Sequence, residues 1–265
     1  MKRIINIVAF FLFLLGGCEK VIDVDLNKAV PKLVIEANLS GTLQIAEVKL
    51  SKTVSYFETE PITNVTDAVV CLKNQYGEKY QLTEDSDGFY RLHDGLFSSG
   101  TKYTITVEYE NEIYMAESTL NPMVRIDSLA AVYNDGFTVL DKGYNVNLYF
   151  HDPAEIFNYY RLKIHVNGKL QNGPGDYIFF DDETINGQFV QLRIRSKTFE
   201  KGDTVCYELL SLDKGAYDYF NSLEELISVN PVSAAPANPV PIFSNGALGY
   251  FSAWNSDKET IIIRK

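Results

Sequence analysis

Side chains able to perform acid–base chemistry are few and scattered along this sequence. The 265 residues include three histidines, of which His93 and His151 are each followed directly by an aspartate. His151 and Asp152 end a predicted strand, where adjacent residues point to opposite faces, so they are poorly placed to exchange a proton. His93-Asp94-Gly95 is typical of a turn. With no Gly-x-Ser-x-Gly elbow and no His-Glu-x-x-His pair either, we expect no catalytic residues and a non-enzymatic protein.

Two acidic clusters are the candidates for cation binding. Asp85 and Asp87 belong to a stretch that resembles part of a calcium loop but lacks the distal glutamate of an EF-hand. A hairpin turn is the simpler interpretation. Asp181 and Asp182 follow an apolar run, and they form either a solvated loop or a contact to a cation or to a basic patch of a partner. We expect no metal site and no cofactor.

Polar, aromatic and glycine residues are the remaining candidates for contact with a ligand or partner. In the block from Ser244 to Phe251, Gly246 and Gly249 permit close backbone approach or unusual dihedral angles. Two interpretations stay open: tight packing of this strand, or a site for a ligand or receptor where the strand begins. The candidate contact residues are Ser244, Asn245, Gly246, Tyr250, Tyr159 and Asp152.

Aromatic residues are abundant but tryptophan is not. The chain has 17 tyrosines and 16 phenylalanines against one tryptophan, Trp254. Aromatic side chains suit strands and sandwich cores, which is the simplest interpretation. A tyrosine platform for sugar binding is the alternative.

In the first half of the chain, the elements that position the candidate residues are predicted to be strands. Apolar and polar residues alternate strictly from Lys102 to Val107, which is the period of a half-buried strand. The predicted strands are 32–39, 46–50, 68–73, 79–83, 102–109 and 113–119, separated by turn dipeptides. This spacing predicts an immunoglobulin-like or transthyretin-like β-sandwich over residues 32–121, ending where Asn121-Pro122 breaks the pattern.

The second half, residues 122–265, is predicted to be a second β domain with one helix. Its predicted strands are 144–148, 160–166, 190–195, 204–210, 246–251 and 260–263. Between Asp213 and Ser228 the apolar period changes to three and four residues, so we expect an amphipathic helix at about 213–228. A Pro/Ala-rich connector follows it, from Asn230 to Pro241.

The N-terminus has the layout of a secretion signal. Lys2 and Arg3 precede an uncharged stretch that ends in Leu15-Gly16-Gly17-Cys18. These four residues resemble a bacterial lipobox. The sequence therefore predicts a signal peptide at 1–17, lipidation of Cys18 and a tether at 18–31, with an ordinary secretory peptide as the alternative.

Charge and cysteine usage limit the partners. A formal net charge of -11 repels both phosphate backbones and anionic lipid surfaces, so we expect no nucleic-acid partner. Contact with outer-membrane lipid would run through the acyl chains on Cys18. Cys71 and Cys206 lie in strand-like runs of different predicted domains, and we expect buried free thiols, with a disulfide as the alternative.

Two resemblances extend this interpretation. The first is carried by 68–72, Gly77, Tyr80, Leu82, 88–90 and 100–103, which resemble a carboxypeptidase-regulatory or transthyretin-like module. The second is carried by the lipobox, 31–36, 49–53, Asp152-Pro153, 158–161 and 244–251. Together these are similar to a family of Bacteroidota outer-membrane lipoproteins known as domain of unknown function 4249. Members are often encoded beside TonB-dependent receptors, which implies an accessory role in uptake, and the family brings no established catalytic residues.

Three functional hypotheses follow. The leading one is a lipid-anchored outer-membrane binding protein that partners a TonB-dependent receptor or its cargo, on either the periplasmic or the cell-surface face. A fimbrillin-like structural or adhesin subunit is the second. The third is a secreted hydrolase that would use His151-Asp152 or an acidic cluster.

Overall fold

The computed structural model describes residues 30–54, 62–136, 142–173, 175–195, 197–227 and 239–264. Cys18, the predicted signal peptide and most of the predicted tether and connector lie outside these residues. Pro31–Lys265 forms one compact unit. Within the described ranges, no helix is both long enough and apolar enough to cross a membrane. Over the described residues the fold is mainly β, a β-sandwich architecture with one α-helix.

The strands arise from alternating apolar and polar residues, whose apolar members face a core. Those described are β1 (Leu33–Ser40), β2 (Ile45–Lys52), β3 (Val69–Asn74), β4 (Lys79–Ser86), β5 (Phe89–Leu92), β6 (Thr101–Tyr109), β7 (Glu112–Leu120), β8 (Ile126–Asn134), β9 (Gly143–His151), β10 (Tyr159–Val166), β11 (Lys169–Leu170), β12 (Ile178–Asp181), β13 (Phe189–Arg193), β14 (Thr204–Leu212) and β15 (Leu248–Ile262). The helix α1 spans Lys214–Ile227, and a single 3-10 turn spans Ser244–Gly246. The sequence missed β5, β8, β11 and β12.

The first core is enclosed by strands β1 to β7 and the beginning of β15. Their order in the sheet is β15-β1-β2-β5-β4-β3-β6-β7. A register shift in β4 between Glu84 and Ser86 bends the sheet. The two ends of this order, β15 and β7, are also in contact. The Ala253 backbone N–H of β15 donates to Ser118 Oγ of β7 at 2.9 Å. The curled sheet therefore encloses a core of residues such as Ile35 and Ile105.

The second core lies between two sheets. On one side the order is β11-β10-β14-β15, with β12 also paired to β10, and on the other side a three-stranded sheet runs β13-β9-β8. The strict alternation of β10 is confirmed, since Tyr160, Leu162 and Ile164 are all buried in this core. Phe150 of β9 packs edge-on against Tyr160, with ring centroids 5.4 Å apart. Cys71 and Cys206 are both free thiols, as expected, but each is only partly buried, because each lies on the less buried face of its strand.

Strand β15 belongs to both cores. Residues 248–254 pair in parallel with β1, and 255–262 pair antiparallel with β14. The prediction of two closing strands, 246–251 and 260–263, was wrong: one continuous strand spans Leu248–Ile262. The chain does leave the first core near residue 121, but Phe251 and Ala253 return to it. Residues 32–121 alone therefore lack one strand of the first core, β15.

The predicted helix is confirmed as α1. Asp213 precedes its first turn and accepts a hydrogen bond from the Ala216 N–H at 2.9 Å, which is an N-cap. Its other carboxylate oxygen accepts from the Thr119 N–H of β7 at 2.9 Å. Burial raises the pKa of this carboxyl, although both hydrogen bonds oppose the change. Phe220 anchors the helix on the sheet, where it stacks on Phe179 with ring centroids 5.7 Å apart.

Lys163 lies on the helix-covered side of β10, with its ammonium 5.3 Å from the Trp254 ring centroid. Burial, followed by the charge of Arg161, lowers the pKa of Lys163 from 10.5 to about 8. A lowered lysine pKa means that the fold binds the proton less tightly than the unfolded chain does. The resulting cost is full below about pH 8 and vanishes as the pH rises to 10.5.

We therefore expect Lys163→Met to stabilise the protein at pH 7 by about 2 kcal/mol. The gain over wild type should shrink as the pH rises from 8 to 10.5, where the wild-type lysine becomes neutral in both states. Urea unfolding at several pH values measures it. Lys169→Met, on the exposed strand β11, is the matched control and should leave stability nearly unchanged. A destabilised Lys163→Met at pH 7 would contradict the assignment.

Candidate functional site

Two predicted contact residues of the 244–251 block form hydrogen bonds with the backbone at the edge of strand β7. The Met115 N–H donates to Ser244 Oγ at 2.9 Å, and Asn245 Nδ2 donates to the Ile113 carbonyl oxygen at 2.7 Å. These backbone groups face away from β6, where no described strand pairs with them. Ser244 and Asn245 thus satisfy an exposed strand edge. The third residue, Gly246, has a positive φ of 72° and would have open space around a Cβ.

Tyr250 and Tyr159 pack under helix α1. The Tyr250 ring lies 4.7 Å from that of Phe220, and the Tyr159 ring lies 5.0 Å from that of Tyr217. Burial raises the pKa of both tyrosines. The structure therefore places these two candidates in helix packing and does not bring them together with Ser244 and Asn245 in a common cavity.

Asp152 is buried at the end of the second core. Its carboxylate accepts from the Tyr160 hydroxyl at 2.5 Å and from the Gly187 N–H at 2.9 Å. His151 points elsewhere, and its Nδ1 lies 2.7 Å from Asp127 Oδ2. The His151-Asp152 pair considered for a hydrolase is thus not brought together, because adjacent strand residues face opposite sides.

We expect Tyr160→Phe to destabilise the protein by about 2 kcal/mol, because it removes a hydrogen bond to a buried carboxylate. Tyr207→Phe is the matched control: its hydroxyl donates to the neutral Val146 carbonyl at 3.0 Å and is equally buried. That change should cost about 1 kcal/mol. Denaturant unfolding compares the two variants. Equal losses would show that the charge on Asp152 adds nothing.

The acidic clusters form ion pairs and hydrogen bonds within the fold. Asp85 pairs with Arg91, and Asp87 Oδ2 accepts from Asn64 Nδ2 at 3.0 Å. Asp182 is fully buried and accepts from the Asn158 N–H at 2.8 Å. Burial first, and then the charge of Asp152, raise the pKa of Asp182.

Asp181 is the last of the four predicted cation ligands. It lies on β12, where its Oδ1 accepts from the Glu183 N–H at 3.2 Å. Across the part of the chain that the structure describes, no three His, Cys, Asp or Glu side chains are grouped to hold a metal ion. The predicted candidates therefore do not converge on one site.

A different surface does bring polar and aromatic side chains together. It is the outer face of the three-stranded sheet, on the side away from the second core. On β9 this face carries Asn145, Asn147 and Tyr149, while Val146 and Leu148 face inward. The register places Asn147 beside Arg193, and Tyr149 beside Gln191. Adjacent strands thus align two amides, a phenol and a guanidinium.

A cavity of about 510 Å³ lies on this outer face. That volume falls in the range of small-molecule sites, roughly 300–1,000 Å³. The described residues lining the cavity are Val132, Tyr133, Asn134, Asn145, Asn147, Tyr149, Gln191, Arg193, Ile194 and Arg195. We call it the β9 cavity.

Asn147 is the most telling residue of the β9 cavity. It is 5% exposed and lines the cavity. Its amide atoms stay accessible to solvent, because the fully enclosed side-chain atoms that lack a hydrogen-bond partner in the described residues are His165 Nε2, Asp182 Oδ1 and Ser252 Oγ. An amide that is nearly buried and lines a cavity is positioned to bind whatever occupies the cavity.

The neighbours of Asn147 are held in place by hydrogen bonds. Gln191 Nε2 donates to the Tyr149 hydroxyl oxygen at 2.9 Å, and Arg193 donates to Gln191 Oε1 at 3.2 Å. Asn145 Nδ2 donates to the Lys197 carbonyl at 2.7 Å and so fixes the segment that follows β13. These hydrogen bonds fix the side chains of the cavity wall relative to one another.

The β9 cavity is positively charged in a chain of net charge -11. Arg193 and Arg195 line it, and neither forms an ion pair with another described residue. No described lining residue is an aspartate or glutamate. None of these residues was predicted from the sequence as part of a site. Their only signal is an outward strand face rich in amides and aromatics, which by itself is also typical of a solvated surface.

Solved structures with similar chains include a two-domain fibronectin type III segment of chicken tenascin and the FN1–FN3 domains of chicken CNTN1. The tenascin segment is 12% identical with a TM-score of 0.24, covering 87% of this chain and 98% of its own. The CNTN1 segment is 10% identical with a TM-score of 0.29, covering 89% and 67%. No curated protein matches the sequence. The fold assignment rests on the strands and sheets of this chain itself.

A family model covers nearly all of the described structure, including both cores and the β9 cavity. It begins just after Cys18 and ends within β15, matching residues 19–260. The chain thus belongs to the family described as Domain of unknown function (DUF4249).

Proposed function

We propose that this protein is a non-enzymatic binding protein, anchored to the outer membrane through Cys18, that binds cargo in the β9 cavity and works with a TonB-dependent receptor. The observation that carries the binding function is the β9 cavity itself, about 510 Å³ in volume, in which Asn147 and Arg193 line one sheet face. The lipobox-like Leu15-Gly16-Gly17-Cys18 supports the anchor.

The side chains of the cavity support binding rather than catalysis. His151 Nδ1 and Asp127 Oδ2 lie 2.7 Å apart on the same sheet, but neither residue is among those that line the cavity. The described lining offers amides, phenols and guanidiniums. At neutral pH these groups donate and accept hydrogen bonds without transferring protons. A cargo would be held and released unchanged.

Co-purification from the native outer membrane tests the partner and the anchor. The tagged full-length protein is extracted in mild detergent, and its partners are identified by mass spectrometry of a native-gel band. We expect one band that contains this chain and a TonB-dependent receptor. Migration of the anchored chain alone would contradict the partnership.

Cys18→Ser is the matched control, since it leaves the described residues unchanged and removes the thiol that would be acylated. We expect this variant in the soluble envelope fraction and absent from the receptor band. If Cys18→Ser stayed in the membrane fraction to the wild-type extent, the lipid anchor would be wrong.

A further inference from the structure

We infer that the β9 cavity binds a carboxylated sugar, of the chemical class of uronic-acid oligosaccharides. The inference rests on the proposed binding function and names the chemistry of its ligand. Three features of the cavity carry it: its local charge, its position on a sheet face, and its aromatic side chains.

The charge selects an anion. Arg193 is the last residue of β13, and Arg195 lies two residues later. Both line the cavity, and neither has a described carboxylate partner. A planar guanidinium binds a carboxylate through two parallel hydrogen bonds. Because the chain as a whole is strongly acidic, it repels anions elsewhere, so the cavity is a local exception.

The position on the sheet favours a sugar over a peptide. Strand β9 pairs with β8 on one side and β13 on the other, so its backbone hydrogen-bonding groups are used in the two ladders. A peptide that adds to a sheet needs free backbone groups at an edge. A ligand over β9 meets side chains only. Asn147 and Gln191 each offer an amide donor and acceptor, which complement the hydroxyl groups of a sugar.

The aromatic residues complete the match. Tyr149 stacks on Phe189, with ring centroids 6.0 Å apart and planes at 19°, and Phe189 is 57% exposed on the same sheet face. Such rings offer apolar surface to the C–H groups of a pyranose, while the Tyr149 hydroxyl stays hydrogen-bonded to Gln191. This combination differs from a bare phosphate site, which has no need of apolar walls.

Calorimetric titration of the purified lipidated protein in detergent micelles tests the inference. The probes are trigalacturonic acid, neutral maltotriose and a short polyglutamate peptide. We expect trigalacturonic acid to bind at least tenfold more tightly than the other two, and its affinity to fall as salt is added. Equal binding of maltotriose, or tighter binding of polyglutamate, would overturn the inference.

Two sets of variants locate the binding. Arg193→Gln combined with Arg195→Gln should weaken trigalacturonic acid binding at least tenfold, and Asn147→Leu should weaken it similarly. Arg264→Gln, which removes one positive charge beyond the end of β15, is the control for loss of charge away from the cavity and should leave binding unchanged. If none of the three probes binds, the inference fails, whereas receptor co-purification decides the proposed function separately.

Discussion

A protein carrying Gly249→Ala is expected not to reach the native fold. Gly249 has a φ of +103°, a region that alanine rarely adopts. A Cβ at this position would lie 2.1 Å from the Ile35 carbonyl oxygen and 2.7 Å from its carbonyl carbon. These are backbone atoms of β1, directly opposite in the parallel pairing, so neither can move without breaking the ladder.

The expected cost of Gly249→Ala is about 4 kcal/mol or more, because steric overlap and backbone strain add. Domains have a total stability of roughly 5–15 kcal/mol, so the variant should be largely unfolded or aggregated. Circular dichroism and urea unfolding of the purified variant measure this. The same close approach is the physical reason for a glycine at this point of the 244–251 block.

Gly246→Ala, three residues earlier, is the matched control. Gly246 also has a positive φ, 72°, but no atom would lie within 4 Å of its Cβ. Only the backbone strain remains, and we expect a loss of about 1 kcal/mol. Gly249→Ala melting within a few degrees of Gly246→Ala would show that β1 and β15 approach less closely than described.

Local patterns were sufficient to predict most strands and the helix. Each of these elements is predicted by the spacing of apolar residues within its own segment, as in the unbroken alternation of β10 and the three-and-four spacing of α1. The middle of β15 was not predicted as a strand, because Ser252, Asn255 and Ser256 interrupt the apolar pattern. Their partners are distant in sequence: Asn255 Nδ2 donates to the Asn121 carbonyl at 2.7 Å, and Ser256 Oγ donates to Glu208 at 2.9 Å.

The candidate site was harder to predict than the fold. Asn147 was on the recognised alternating strand 144–148 and Tyr149 directly follows it, but the sequence could not show that Arg193 and Gln191 pair beside them. Register decides which polar side chains share a face, and register depends on long-range pairing. Asn147 is nearly buried because of those neighbours, so its burial is visible only in three dimensions.

The excised polypeptide of residues 32–121 is expected to lack a cooperative fold. In the whole chain its core includes Phe243, Ala247, Phe251 and Ala253, all contributed from beyond residue 121. Phe251 is 1% exposed, and losing a buried phenylalanine side chain alone costs roughly 3–5 kcal/mol. Excision also leaves β1 without its parallel partner along Val34 to Ser40. These losses together exceed what a domain of this size can absorb.

Restoring β15 should restore folding. A polypeptide in which residues 239–258 follow 32–121 through a flexible Gly/Ser linker is the matched comparison, because it returns the strand without the second core. We expect it to show dispersed amide resonances and a single urea transition, whereas 32–121 alone should show neither. A sharp unfolding transition for 32–121 alone would mean that the first core is complete without β15, and that the shared strand joins two independent domains.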